Sequence, residues 1–152
     1  ISPFNAFLIL QGIETLSLRM ERHCNNAMAV ANYLQNHSKV TSVSFAGLSG
    51  DKYHDLAQKY CNGVPASLLT FEVNGGYEAA VRFYDALGLF KRLVNIGDAK
   101  SLACHPASTT HRQLTDEEQS KAGVTEGMIR LCVGIEHEED ILEDLEQALG
   151  QA

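Results

Sequence analysis

The stretch "ASLLTFEVNGGYEAAVRFYDALG" (Ala66 to Gly88) shows most clearly which fold this chain adopts. Its first half alternates between apolar and polar residues, which is typical of a strand buried on one side only. The residues on one side are Leu69, Phe71 and Val73, and those on the other are Thr70 and Glu72. After two glycines, apolar residues recur at helical spacing until Gly88. A strand followed directly by a helix predicts a sheet covered by helices.

The rest of the chain alternates in the same way between strand-like and helix-like segments. We predict further strands at Val40 to Gly47, Arg92 to Gly97 and Met128 to Gly134. We predict helices at Asp51 to Cys61, Thr115 to Gly123 (with a capping box) and Glu136 to Gly150. Residues 1–36 predict one long helix that either spans between two domains or bends at Gly12. The predicted fold is therefore α/β with two layers, in which helices cover mostly one face of a small sheet.

Length and composition fit one globular domain and argue against several functions. The chain has 152 residues, of which 45% are hydrophobic and 20% charged. Its net charge of −7 leaves no basic face for nucleic acid, and no apolar run approaches the ~20 residues that span a bilayer. The four cysteines lack Cys-x-x-Cys spacing, so we expect reduced thiols in a cytosolic protein and no metal site. The opening "ISPFNAF" lacks an initiator methionine, so we expect a processed or excerpted chain.

Arg130, in "MIRLCVG", is the residue that most strongly suggests a binding site. Strand alternation places Ile129 and Leu131 on one face and Arg130 on the other. A guanidinium in a central strand needs a partner, because burying an unpaired charge is costly. Its planar fork suits a carboxylate ligand, whereas a solvated position on an edge strand, or a salt bridge to Glu136 or Glu72, would give it no binding role. From the residues alone, both interpretations stay open.

A second candidate is "GDAKSLACHPASTTHRQL" (Gly97 to Leu114), which we predict to be a polar loop. Ser101 follows a Gly-Asp turn and either faces a cleft or caps the backbone. Lys100 could form a Schiff base only in a dry pocket, and a solvated lysine is the simpler interpretation. His105 and His111 could be acid–base groups or could fix the loop, and their spacing does not favour a metal site.

Three segments carry a resemblance to a known family. They are "SPFNAFLILQGIETLSLRMERHCNNA", "NIGDAKSLACHPASTTHRQL" and "GMIRLCVGIEHEEDILEDLEQAL". Together they resemble the Cys/Met-metabolism family of pyridoxal-phosphate enzymes. The resemblance implies that residues 1–152 form the C-terminal, small domain of a fold-type I enzyme, with a small, mostly antiparallel sheet and with residues 1–36 as a long interdomain helix. It also implies that the large domain, which binds pyridoxal 5'-phosphate and carries the Schiff-base lysine, lies outside this chain.

The resemblance also suggests roles for individual residues. It implies that Arg130 binds the substrate α-carboxylate, and that Ser101 lies near the cofactor lysine. With the adjoining backbone at Leu102, Ser101 would help to hold the substrate. A possible site loop contains Lys100, Thr109, Thr110 and His111. The resemblance places no primary catalytic residue and no metal in this chain.

The implied activity is γ-replacement, in which sulfide or a thiol replaces the acetyl group of O-acetyl-L-homoserine to give homocysteine or methionine. Lys100 stands where related γ-lyases tend to have glutamate, which argues against a cystathionine lyase and favours this activity. The alternatives within the family are cystathionine γ-synthase or γ-lyase and methionine γ-lyase. We expect a cytoplasmic homotetramer, no nucleic-acid or membrane partner, and no activity from this chain alone. An alternative from another class is a stand-alone regulatory module that binds an amino acid. The thiol donor and the acyl group are not determined by the sequence.

Overall fold

The computed structural model describes residues 1–63 and 65–152, which form six α-helices and five strands. The helices are α1 (Pro3–Glu14), α2 (Leu16–Gln35), α3 (His54–Cys61), α4 (Gly76–Ala86), α5 (Asp116–Lys121) and α6 (Glu138–Gln151). The strands are β1 (Val40–Ser44), β2 (Leu68–Val73), β3 (Lys91–Arg92), β4 (Leu102–Cys104) and β5 (Met128–Cys132), and a 3₁₀ turn covers Pro106–Ser108.

The five strands form one sheet in the order β1-β2-β5-β4-β3. Only β3 and β4 run parallel, and the other three pairs are antiparallel. Helices α2, α4 and α6 pack on the inner face of the sheet. The prediction of a small, mostly antiparallel sheet covered by helices on one face is therefore confirmed.

The inner face of the sheet carries the core, as the alternation in β2 and β5 predicts. Its buried strand residues are Leu69, Phe71, Val73, Ile129, Leu131 and Val133. They pack against α4 and α6, where Phe71 meets Phe83 edge to face at 5.5 Å between ring centroids. In α6 Ile141, Leu145, Ala148 and Leu149 are buried in the same core, and Leu142 is half-buried against it. This packing leaves the other face of β5 available for a functional site.

The N-terminal segment differs from the single helix we predicted, because it breaks at Thr15 rather than bending at Gly12. Thr15 has a non-helical backbone (φ −105°, ψ 6°) and separates α1 from α2. The side chain of Arg19 stabilises the break by donating to the Gly12 carbonyl (2.5 Å) and to Thr15 Oγ1 (3.3 Å). Helix α1 is apolar but has no buried residue. Within residues 1–63 and 65–152, no helix combines the length and apolar character needed to cross a membrane.

The segment Gly97 to Leu114 is not only a loop, which corrects our prediction. It contains β4 and the 3₁₀ turn, and every residue from Ser101 to Ala107 is buried. Conversely, most of the strand predicted at Arg92 to Gly97 is irregular and exposed, and only Lys91 and Arg92 pair with β4. A strand of three residues covered on both faces has no alternation to detect, which explains why β4 was missed.

Candidate active site

Arg130 lies in the middle of β5, between Thr70 on β2 and Cys104 on β4. Its strand neighbours Ile129 and Leu131 are buried in the core, so Arg130 points to the opposite face of the sheet, as predicted. It is half-buried there. The fold therefore places a guanidinium on the non-core face of a central strand.

In the part of the chain that the structure describes, the Arg130 side chain has no hydrogen bond and no ion pair. The two carboxylates that could have made it structural have other partners. Glu72 accepts from the Thr125 hydroxyl and from the Gly127 N–H (3.1 Å), and Glu136 binds Ser101. Five N–H donors of Arg130 are therefore available to a ligand. A half-buried cation without a protein partner favours an anion, and the planar fork favours a carboxylate.

The residues around Arg130 on this face are mostly apolar or weakly polar. Strand register places Thr70, Met128, Cys132, Leu102 and Cys104 there, and the one charged neighbour in this register is Glu72, opposite Met128. The Cys104 thiol lies 3.2 Å from Thr109 Oγ1, so the 3₁₀ turn covers the β4 side. On the β2 side, Thr70 lines a cleft of about 240 Å³ together with Ser44, Asp51 and Tyr53. Arg130 thus has covered surface on its β4 side and an open cleft on its β2 side.

Ser101 is buried immediately before β4, and its hydroxyl is committed inside the protein. The hydroxyl accepts from the Gly134 N–H (2.8 Å) and donates to Glu136 Oε2 (2.9 Å), while the Ser101 N–H donates to Glu136 Oε1 (2.7 Å). Ser101 lies three positions before Cys104, the residue opposite Arg130 in the sheet, and three positions span ~10 Å at the rise of a strand. Its predicted contact with substrate stays a prediction, and the geometry shows a supporting position.

The other predicted site residues lie at the two ends of β4. Leu102 is buried and shares the face of Arg130, whereas Lys100 is exposed before the strand. Thr109 and Thr110 are exposed after the 3₁₀ turn, and Thr110 Oγ1 lies 2.8 Å from Nδ1 of the half-buried His111. Of these residues, Leu102 and Thr109 are the two that the structure connects to the surroundings of Arg130.

His105 has a structural position that the sequence left open. Its Nε2–H donates to the Glu126 carbonyl (2.8 Å), and its Nδ1 accepts from the Ser108 hydroxyl (2.8 Å). Its ring also contacts Tyr77 at 5.2 Å. Because both nitrogens are used and the side chain is buried, His105 fixes the end of β4 to the segment that precedes β5.

The sequence offered Glu136 only as a possible salt-bridge partner of Arg130, and its position beside Ser101 was missed. Its carboxylate is half-buried and binds both polar groups of Ser101. The sequence feature that could have indicated this contact is Gly134, two residues earlier. In the structure a Cβ at Gly134 would lie 2.5 Å from the Ser101 nitrogen and 2.6 Å from the Ala99 oxygen. A glycine that permits such a close approach marks the point where β5 and β4 are joined.

The lysines of this chain do not fit a covalent site for pyridoxal phosphate. Five of the six are exposed, and Lys39 is half-buried with its ammonium donating to the carbonyls of Gly150 and Ala152. A lysine that bonds the cofactor must be desolvated to have a lowered pKa. Lys100 in particular is exposed, as the simpler interpretation predicted. Across the described ranges, no three side chains of His, Cys, Asp or Glu converge as metal ligands.

The chain is similar in sequence to several known enzymes. The chain is 59% identical to the O-acetyl-L-homoserine sulfhydrylase of Leptospira meyeri and 53% identical to the homocysteine synthase of Schizosaccharomyces pombe, with 98% and 97% of this chain aligned. It is 44% identical to the L-methionine gamma-lyase of Pseudomonas putida over 98% of its length. The aligned regions cover 34%, 34% and 37% of these proteins, so the chain spans about a third of the length of the curated relatives it matches.

A solved structure has the same fold. It is a putative O-acetylhomoserine (thiol)-lyase from Campylobacter jejuni with N'-pyridoxyl-lysine-5'-monophosphate, and it superposes with a TM-score of 0.89 at 46% identity. The superposition covers 99% of this chain and 36% of that chain. The family model described as Cys/Met metabolism PLP-dependent enzyme matches residues 1–150. On these matches, the chain belongs to the Cys/Met metabolism family of pyridoxal-phosphate-dependent enzymes.

Proposed function

We propose that this chain is the substrate-binding part of a longer enzyme that replaces the acetoxy group of O-acetyl-L-homoserine, which leaves from Cγ as acetate, with sulfide or a thiol. The observation that carries the proposal is the Arg130 guanidinium, which lies half-buried on β5 without a partner in the described residues. The relatives support the substrate class, since the sulfhydrylases and the homocysteine synthase are 49% to 59% identical to this chain. The products would be homocysteine or methionine.

In this proposal Arg130 holds the substrate α-carboxylate. Pyridoxal phosphate, bound by the rest of the enzyme, supplies an electron sink for the negative charge that develops on the substrate carbons. A bidentate grip on the carboxylate fixes the orientation of Cα and of the side chain that carries the acetyl group. Leu102 forms an apolar wall beside it, and Ser101 supports that wall from within the protein. The contribution of this chain is therefore positioning.

Helix α1 supports the proposal of a second, cofactor-binding part. Its large apolar residues are more than half exposed: Phe4, Phe7, Leu8, Ile9, Leu10 and Ile13. A helix that is apolar all round is stable only when it is enclosed. We infer that residues 1–36 join this small, C-terminal domain to the cofactor domain, and that the full enzyme is a homotetramer. Since no lysine here fits the cofactor, the chain alone should be inactive and should lack the visible absorption of a lysine-bound cofactor.

We place the enzyme in the cytoplasm. All four cysteines are free thiols in the part of the chain that the structure describes, and Cys24, Cys104 and Cys132 are buried. Unpaired cysteines in this number are typical of a reducing compartment. Burial raises the pKa of Cys24, which keeps this thiol protonated and inert.

A second candidate function is methionine γ-lyase activity, because relatives with that name are 42% to 46% identical to this chain. Assays of the complete enzyme separate the two. Sulfide-dependent formation of homocysteine from O-acetyl-L-homoserine supports the proposal, and release of methanethiol from methionine supports the lyase. Comparing acetyl with succinyl substrates identifies the leaving group. Amino-acid binding by the isolated chain without any turnover by the complete protein would favour a regulatory module.

The role of Arg130 is tested by Arg130→Lys in the complete enzyme. Lysine keeps the charge but loses the bidentate grip, so KM for O-acetyl-L-homoserine should rise about 10- to 100-fold. The matched control is Arg112→Lys. Because the Arg112 side chain is exposed at the surface, this substitution should leave KM unchanged. An unchanged KM in Arg130→Lys would remove the assignment.

A further inference from the structure

Of the two strands that border Arg130, β4 is unusually short. Strand β4 has three residues, and its outer neighbour β3 has two. Cys104 of β4 lies opposite Arg130, and Leu102 lies opposite Cys132. A slip of one residue would turn the side chains of β4 to the opposite face. So short a ladder needs additional contacts to keep its register.

Glu136 provides such a contact at the start of β4. Its two carboxylate oxygens accept from the N–H and the hydroxyl of Ser101, at 2.7 and 2.9 Å. The same hydroxyl accepts from the Gly134 N–H at 2.8 Å, and the Ile135 N–H donates to the Ala99 carbonyl at 3.0 Å. The segment that leaves β5 is therefore tied to the residues that enter β4 by four hydrogen bonds, and the carboxylate makes two of them.

Glu136 is itself held in place from α2. The buried Asn26 side chain donates to the main-chain carbonyls of Gly134 (3.0 Å) and Glu136 (2.9 Å). The Arg22 guanidinium also donates to the Glu136 carbonyl at 3.3 Å. On the same helix, the buried His23 donates from Nδ1 to the Val133 carbonyl at 2.7 Å. The backbone of Glu136 is thus fixed to α2, and its carboxylate fixes Ser101, the residue before β4, relative to that backbone.

We propose that Glu136 is a positioning residue for Arg130, because its carboxylate clamps Ser101 and so holds β4 in register beside the arginine. The inference rests on the proposed carboxylate-binding role of Arg130, and it assigns Glu136 a task that does not require contact with substrate. It also gives the buried Ser101, which is not in contact with Arg130, a supporting role. The Ser101–Glu136 pair sets the geometry of the wall against which the substrate carboxylate docks.

The test is a double-mutant cycle in the complete enzyme. In Glu136→Gln only one accepting oxygen remains, so one of the two Ser101 donors, the N–H or the hydroxyl, loses its acceptor. KM for O-acetyl-L-homoserine should rise about tenfold while kcat stays within about twofold. The same change in an Arg130→Lys background should raise KM by less than about threefold more, since the grip is already lost. Glu139→Gln removes a charge from an exposed side chain of α6 and should leave KM unchanged.

The outcomes separate this inference from the proposed function. An unchanged KM in Arg130→Lys would overturn both. A raised KM in Arg130→Lys with an unchanged KM in Glu136→Gln, or multiplicative effects in the double variant, would overturn only the role of Glu136. A lower melting temperature with an unchanged KM would show that Glu136 only stabilises the fold. If Glu136→Gln does not fold, Ser101→Ala tests the same clamp from its other side, and the same KM pattern is required.

Discussion

The two faces of the sheet differ in whether their side chains have packing or hydrogen-bonding partners within the protein. On the inner face Ile129 and Leu131 are buried against α4, in the core that α6 also enters, and this face contributes stability through apolar burial. On the outer face Arg130 has no side-chain partner in the described residues. Adjacent residues of β5 therefore have different roles, because Ile129 and Leu131 stabilise the core and Arg130 does not. The contrast teaches that the unmatched side of β5 is the functional one, because folding gains nothing from a half-buried, unpaired charge.

The largest effect on stability should come from breaking the inner face with Leu131→Ala. Removing this buried side chain leaves a cavity, so the free energy of unfolding should fall by about 2–5 kcal/mol. Arg130→Ala, one position away, should change it by no more than about 0.5 kcal/mol. Denaturant unfolding of the two variants measures the difference. Equal losses would contradict the division of labour between the faces.

A smaller effect is expected where a buried carboxylate supports the core. Asp144 accepts from the N–H groups of Gly88, Leu89 and Phe90 at 2.9 to 3.2 Å, and so joins α6 to the end of α4. Asp144→Asn should lower the free energy of unfolding by about 1–3 kcal/mol, because an amide nitrogen cannot accept these bonds.

KM of the folded Asp144→Asn enzyme should stay within twofold of the wild-type value, since Asp144 lies on the core side. Glu143→Gln, a neighbour that is exposed, is the matched control. A raised KM in Asp144→Asn would show that the two faces are coupled.

The smallest effect concerns the exposed helix α5. The N–H and the hydroxyl of Thr115 donate to Glu118, and these bonds lower the pKa of that carboxyl. A carboxyl whose pKa is lowered on folding stabilises the structure above its unfolded pKa, and this contribution is lost as the pH falls through the folded pKa. Amide protection of α5 should therefore decrease below about pH 4.5 before the core opens. Hydrogen exchange of wild-type and Glu118→Gln measures this, and a wild-type profile in the variant would contradict it.

Local pattern predicted the strands that matter most for the site. The alternation in β2 and β5 gave the correct faces, including that of Arg130, because each strand has one buried side. Strand β4 escaped prediction because it is covered on both faces and has only three residues. The break at Thr15 depends on the contacts of Arg19 rather than on a glycine.

Neither the partner of Ser101 nor the unpaired state of Arg130 in the described residues could be predicted from the sequence. Ser101 meets Glu136 across 35 positions of chain, so no local spacing reveals the pair. For Arg130, the sequence allowed salt bridges to Glu72 or Glu136. Only the fold shows that both carboxylates already accept hydrogen bonds from other groups. Long-range pairing therefore decided which residues are free to bind a ligand.

The most direct test of the carboxylate site compares O-acetyl-L-homoserine with its neutral carboxamide as substrates of the complete enzyme. If Arg130 binds the carboxylate, the wild-type enzyme should prefer the acid over the amide in kcat/KM by on the order of 100-fold. Arg130→Ala should reduce that preference to within about threefold, chiefly through loss of activity on the acid. A preference that stays near the wild-type value in Arg130→Ala would contradict the assignment of Arg130.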